Sequence, residues 1–136
     1  MRFSILSLLA LSAGLASAAL QWKAYDISSL LHEESEAKIQ YLNTNGQPQN
    51  LEWILKNGGA NALKMRIWVN PSDGKYNLDY AVRLGKRIRD AGLPVILNLH
   101  YSDTWADPGH QAKPRGWEGL STDQVRAMCL ICTVSI

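Results

Sequence analysis

Two apolar runs, Ala62 to Val69 and Val95 to Leu99, are separated by one amphipathic stretch, Leu78 to Ala91, and this succession most narrows what the chain can fold into. Parallel strands cannot be joined by a tight turn; they need a crossover of a dozen or so residues, most often a helix. Asn77 is placed to cap the start of such a helix, Gly92 to stop it and Pro94 to open the next strand. Leu78, Ala81, Val82, Gly85 and Ile88 recur at helical spacing and are expected to face the core. Arg83, Lys86, Arg87, Arg89 and Asp90 are expected to face water, the basic residues complementing the helix dipole without a partner. Val95 to Leu99 is nearly continuous in apolar character, as in a strand buried on both faces. Upstream, Trp22 to Ile27 reads as a short first strand, and Asn50 opens a helix, Leu51 to Lys56, that Asn57-Gly58-Gly59 ends. Alternating strands and helices of this kind specify a parallel α/β sheet or barrel.

The stretch from His32 to Gln49 is polar and turn-rich and is expected to form a long first loop. Its clustered Glu33, Glu34 and Glu36 fit a solvated acidic face better than an acid/base pair, since neighbouring loop residues point in different directions. Residues 1–18 carry the marks of an export signal: Arg2, an apolar run from Ile5 to Leu15, and the small-x-small site Ala16-Ser17-Ala18. The apolar run is shorter than the roughly 20 residues that span a bilayer. Cleavage after Ala18 leaves 118 residues with a formal charge of +1. A near-neutral chain without a basic stripe is a poor match for nucleic acid or a membrane surface. Cys129 and Cys132 have a Cys-x-x-Cys spacing but lie in an apolar tail, not at a helix start after a strand, so a redox role is not expected.

Chemistry-bearing residues gather where the apolar runs stop. Asp26 ends the first strand, with Ser28 and Ser29 behind it. Arg66 interrupts the second, and a guanidinium among apolar neighbours must be paired or face a polar cavity. His100-Tyr101-Ser102-Asp103-Thr104-Trp105-Ala106-Asp107-Pro108 follows the third. In parallel α/β folds this carboxyl end of the strands is where ligands bind. His100, Asp103, Asp107 and His110 offer donor atoms for a metal, but Tyr101, Trp105 and Trp117 interleaved with them fit a sugar platform better, with aromatic faces for stacking and polar groups for hydroxyls. Among the five tryptophans, Trp53 and Trp68 are equally well read as core residues.

Three ordered motifs, Asp26-Ile27-Ser28-Ser29, Arg66-Ile67-Trp68-Val69-Asn70-Pro71 with Asp73-Gly74, and His100 to Gly109 with Gln111, Pro114 and Trp117, resemble the arabinogalactan endo-β-1,4-galactanases from about Trp22 to about Val125. Ala24 and Asn98 depart mildly from that pattern. The resemblance implies a (β/α)8 TIM barrel of a retaining glycosidase clan that hydrolyses internal β-1,4 links in pectic galactan, of which this chain supplies the N-terminal part, about three βα units, incomplete. A closed barrel takes about 250 residues. The resemblance places Arg66 and His100 in the subsite of the sugar to be cleaved, Arg66 orienting a catalytic carboxylate and His100 bonding the sugar or the nucleophile. Asp103, Trp105 and Asp26 are carried over as substrate-binding or loop-shaping groups. No metal, cofactor or nucleic-acid partner is implied, and the completed enzyme is expected to be a secreted monomer.

Retaining hydrolysis needs two carboxyl groups about 5 Å apart. In the resembled family both are Glu, at the ends of the fourth and seventh strands, the first in an Asn-Glu pair. The sequence holds no Asn-Glu pair, and none of Glu33, Glu34, Glu36, Glu52 or Glu118 matches either position. The expected organisation is a signal peptide at 1–18, a partial hydrolase domain at 19–126 and an aberrant tail at 127–136 unlike the third helix of the family, as from a frameshift or an unspliced intron. Such a chain is expected to be inactive alone. Two other readings stand beside it: a secreted galactan-binding protein without hydrolysis, and another glycosidase of the same clan, such as a mannanase or cellulase.

Overall fold

The computed structural model describes residues 20–134, so the export signal expected at 1–18 lies outside the described residues. Three strands, β1 (Ala24–Asp26), β2 (Ala62–Trp68) and β3 (Val95–His100), form one sheet in the order β1-β2-β3. Both pairings are parallel, with Asp26 beside Lys64, Arg66 beside Asn98 and Trp68 beside His100. The α/β reading therefore holds, with β1 shorter than the Trp22–Ile27 run suggested. Strand side chains alternate between faces. Leu63, Met65 and Ile67 point into the helical layer and are buried, while Lys64, Arg66 and Trp68 share the opposite, partly exposed face.

Among the described residues four α-helices accompany the sheet: α1 (Leu30–Ser35), α2 (Leu51–Asn57), α3 (Leu78–Asp90) and α4 (Thr122–Val134). Asn77 caps α3 as expected, its side-chain oxygen accepting from the Tyr80 N–H at 2.9 Å. Leu30, Leu63, Leu84 and Ile88 are sealed from water at the centre of the core. Truncating Leu84 to Ala removes a fully buried isobutyl group from the α3–β2 contact, and equilibrium denaturation of the chain is expected to show a loss of about 2–5 kcal/mol.

The buried side of α3 is rotated from the expected one. Tyr80, Ala81, Leu84 and Ile88 are buried, whereas Leu78 and Val82 are each 46% exposed. Tyr80 accounts for the rotation: its hydroxyl donates to the Ser28 carbonyl at 2.7 Å and accepts from the Leu31 N–H at 3.1 Å, so the ring fills the core without an unpaired polar atom. Leu78 and Val82 instead line an outer cleft of about 620 Å³ with Met65, Val95 and Leu97.

The expected loop from His32 is also corrected, because its first residues complete helix α1. The acidic cluster is not a solvated face. Glu33 accepts from the Ser29 and Tyr41 hydroxyls, Glu34 from Arg87, and Glu36 pairs with Lys75 at 2.7 Å. Arg87 accordingly has partners, contrary to the dipole-only account of the basic residues on α3. Its guanidinium bonds both oxygens of Glu34 on α1 and both of Glu52 on α2, including Nε to Glu52 Oε1 at 2.5 Å. Glu52 is 1% exposed. One cation thus ties three helices together. At the other end, α4 runs through Val134, so residues 127–134 continue the helix that begins at Thr122; Ala127, Met128 and Leu130 are good helix formers. Among the described residues no helix is long and apolar enough to cross a membrane.

Candidate functional site

The site lies at the carboxyl end of the strands, on the sheet face opposite the helices. Period-two alternation puts Lys64, Arg66 and Trp68 of β2 on that face, and the parallel register sets Asp26 of β1 on one side and Asn98 and His100 of β3 on the other. Arg66 Nη2 lies 2.9 Å from Asp26 Oδ2, and Lys64 Nζ is 3.5 Å from the same oxygen. The other oxygen of Asp26 accepts from the Ser28 hydroxyl and N–H. Ser28 Oγ in turn accepts from the Arg66 backbone N–H at 2.9 Å. Arg66 is therefore paired at its charged end and fixed at its backbone by one short segment of the first strand end.

Burial pushes the Asp26 carboxyl up, but the Ser28 hydrogen bonds and the Arg66 and Lys64 charges together outweigh it and hold it below its ordinary 3.8. A carboxylate whose folded value is depressed contributes stability that is fully present above its unfolded value and fades as pH falls through the folded one. Asp26→Asn is expected to lower stability at neutral pH and to flatten the acid limb of the denaturation profile below the ordinary carboxylate value.

Trp105 covers this ion pair. Its ring lies 4.6 Å from the Arg66 guanidinium, a cation–π contact, and 5.8 Å from the His100 ring. Half of its surface is exposed. The indole N–H donates to Asp107 Oδ2 at 3.2 Å, while Oδ1 of the same carboxylate accepts from the Gly109 N–H at 2.7 Å and faces His110 Nδ1 at 2.9 Å. The loop thus presents a free indole face beside a cation and an imidazole, a surface suited to an uncharged polyhydroxylated ring.

His100 stands at the strand end with its Nε2 3.3 Å from Asn98 Nδ2. Burial lowers its pKa, the Arg66 and Lys64 charges lower it further, and Asp26 opposes them. Its Nδ1 is buried with no hydrogen-bond partner among the described residues, and so is Nε1 of Trp68, its neighbour across the strands.

Of the five site residues read from the sequence, Asp26, Arg66, His100 and Trp105 converge. Asp103 sits apart from them: it is 8% exposed, its Oδ1 accepts from the Asn70 N–H at 3.0 Å and its Oδ2 from the Arg115 N–H at 2.8 Å. Both oxygens are engaged in joining the loop after β2 to the loop after β3. Val69 reinforces the junction by donating to the Ser102 carbonyl at 2.9 Å. Ser28, Lys64 and Asn98 also stand at the site, although none of them is a site residue in the sequence reading; for Lys64 and Asn98 the signal was present, two residues from Arg66 and His100 and hence on the same strand face. Among the described residues no group of three or more His, Cys, Asp or Glu is placed to hold a metal.

Residues 22–133 match the model of glycosyl hydrolase family 53. The probable arabinogalactan endo-beta-1,4-galactanase A of Aspergillus fumigatus is 62% identical over 103 residues, 76% of this chain and 29% of that protein. The arabinogalactan endo-beta-1,4-galactanase A of Emericella nidulans is 56% identical over 109 residues, 80% of this chain and 31% of that one. Among solved structures, one from a study of two fungal beta-1,4-galactanases superposes with a TM-score of 0.81 at 46% identity, covering 86% of this chain and 35% of that one. The Ignisphaera aggregans GH53 catalytic domain superposes at 0.66 with 32% identity, covering 73% and 29%. The chain thus spans less than a third of the length of these curated relatives.

Proposed function

Since this chain belongs to glycosyl hydrolase family 53, we propose that it forms the substrate-gripping side of an arabinogalactan endo-β-1,4-galactanase, an enzyme cleaving internal β-1,4-galactosidic links with retention. The observation that carries the reading is the convergence of Asp26, Arg66, Trp105 and His100 at one end of three parallel strands. In this reading a galactosyl ring stacks on the exposed face of Trp105, and His100 and Arg66 supply hydrogen bonds to the sugar or to the carboxylate that attacks it. Residues 1–18 direct export, residues 19–126 form the hydrolase portion and 127–136 a tail foreign to it, and the completed protein acts outside the cell as a monomer without metal or cofactor.

The described carboxylates do not supply the two-carboxyl chemistry that retention requires. Asp26 is held ionised by Ser28, Arg66 and Lys64 and is thereby a poor proton donor, and Asp103 is held by two backbone N–H groups. The 136-residue chain is accordingly expected to release no reducing ends from galactan. Residues 22–126 grafted in place of the equivalent segment of the Emericella nidulans galactanase are expected to give a hydrolase active on galactan. A soluble, folded graft without activity would refute the reading. A second reading, galactan binding without hydrolysis, is favoured by the half-exposed Trp105; retention of the 136-residue chain on a galactan affinity gel, lost in Trp105→Ala, would support it.

A further inference from the structure

Ser28 is only 3% exposed, and its N–H, hydroxyl and carbonyl are all hydrogen-bonded. We infer that Ser28 is a positioning residue of the hydrolase site: its hydroxyl joins the Asp26 carboxylate to the Arg66 backbone, so that Arg66 stands in one fixed place before substrate binds. The inference rests on the galactanase reading for its meaning in catalysis, though not for its geometry.

Both bonds of the hydroxyl have a fixed direction. An ionised carboxylate only accepts and a backbone N–H only donates, so Ser28 Oγ–H donates to Asp26 Oδ1 and Oγ accepts from the Arg66 N–H at 2.9 Å. A carboxylate accepting from the N–H two residues on is an ordinary local turn. The bond to Arg66, 38 residues along the chain, is not. β1 stops at Asp26, and the Ile27 carbonyl is taken by the Leu30 N–H at 3.0 Å. The Ser28 hydroxyl thus supplies the acceptor that the strand no longer offers to Arg66. Ser28 is itself pinned from the core, since the Tyr80 hydroxyl of α3 donates to its carbonyl at 2.7 Å. The residue before it is tied to β2, the Ile27 N–H donating to the Lys64 carbonyl at 3.0 Å.

Asp26 has little left to offer a sugar. A carboxylate has about four acceptor positions. Ser28 takes two on Oδ1 through its hydroxyl and N–H, and Oδ2 faces Arg66 Nη2 at 2.9 Å and Lys64 Nζ at 3.5 Å. Asp26 therefore serves the substrate through Arg66. By holding Oδ1, Ser28 keeps Oδ2 turned toward the guanidinium. Without the hydroxyl, Arg66 loses an acceptor at its backbone and a fixed partner at its charged end. A group supported in this way on packed strands keeps its productive geometry without rearrangement during the reaction.

Two readouts test the inference. In the 136-residue chain, carboxyl carbon NMR follows Asp26, which faces Lys64 and Arg66 of β2 and His100 of β3. Its midpoint is expected below the ordinary 3.8, and Ser28→Ala should raise it, because a hydroxyl donor is lost while both cations remain. In the grafted galactanase, Ser28→Ala should lower kcat on galactan by about 10²-fold with KM little changed, the pattern of a displaced group that acts in the transition state. Ser28→Thr keeps the hydroxyl and should hold both quantities near their starting values. Leu84→Ala weakens the core away from the site and should move neither. An Asp26 midpoint unmoved by Ser28→Ala would overturn the inference, as would near-parental kcat in the Ser28→Ala graft or an equal loss in Leu84→Ala. If Ser28→Ala does not fold, the unsubstituted chain decides: the Ser28 amide proton should titrate with Asp26 below 3.8, and a midpoint at or above that value overturns the inference. An unsubstituted graft without activity refutes the hydrolase reading alone, and the Asp26 midpoint then decides on Ser28.

Discussion

In the grafted galactanase, replacing Arg66 by Ala is expected to lower kcat/KM by about 10²–10³-fold, the usual effect of deleting one preorganised charged donor from an active site. Three contacts converge on this side chain: the Asp26 carboxylate at 2.9 Å, the Trp105 ring at 4.6 Å and, through its backbone N–H, Ser28 Oγ at 2.9 Å. Removing the guanidinium leaves Asp26 with only the longer Lys64 pairing and leaves the inner face of Trp105 over a void. Arg66→Lys should recover little, because a compact ammonium cannot pair with a carboxylate and stack flat under an indole at once. Trp105→Ala is the informative companion. If the indole acts as a stacking platform, its loss raises KM more than it lowers kcat. Steady-state kinetics on galactan check both, and an Arg66→Ala graft with near-parental kcat/KM would remove Arg66 from the site.

The second large effect concerns the fold. Arg87→Ala is expected to destabilise the chain by about 3–5 kcal/mol, because it strips the buried Glu52 carboxyl of its counter-charge and hydrogen-bond donors. That is a large fraction of the stability of an ordinary domain, and the transition seen by circular dichroism should shift far down in denaturant or disappear. Glu34 loses less, since it is 30% exposed and water can replace the guanidinium. Replacing Arg87 and Glu52 together by Leu tests the account. It removes the buried charge along with its partner, and most of the lost stability should return. If the double replacement is as damaging as Arg87→Ala alone, the loss lies in geometry and not in an unpaired carboxylate.

These two residues also show what could be read in the sequence and what could not. Arg66 stood out because a lone cation in an apolar strand demands a partner, and the strand that follows Asp26 in the sheet order was visible from its pattern. Arg87 did not stand out. It sits in a run of basic residues that the helix dipole already rationalises, and its partners Glu34 and Glu52 lie 53 and 35 residues away, on helices α1 and α2. For the same reason α1 was hidden. Leu30-Leu31-His32-Glu33-Glu34-Ser35 is short and polar, with no side-chain hydrogen bond capping its start, and it is held by tertiary contacts from Tyr41, Tyr80 and Arg87. The elements of the sheet and the helix between β2 and β3 were legible because their periodicity is local. The rotation of α3 was not, because the spacing of Leu78, Val82 and Gly85 is as regular as that of Tyr80, Leu84 and Ile88, and only the Tyr80 hydroxyl's partners on the first strand end decide between them.

Asp103 carries a further consequence. A single carboxylate accepts one N–H from the segment after β2 and one from the segment before α4, and so links the two directly. The stretch carrying Trp105 lies between Asp103 and Arg115, so the carboxylate that holds the loop after Arg66 also closes the base of the loop that sets the indole over the guanidinium.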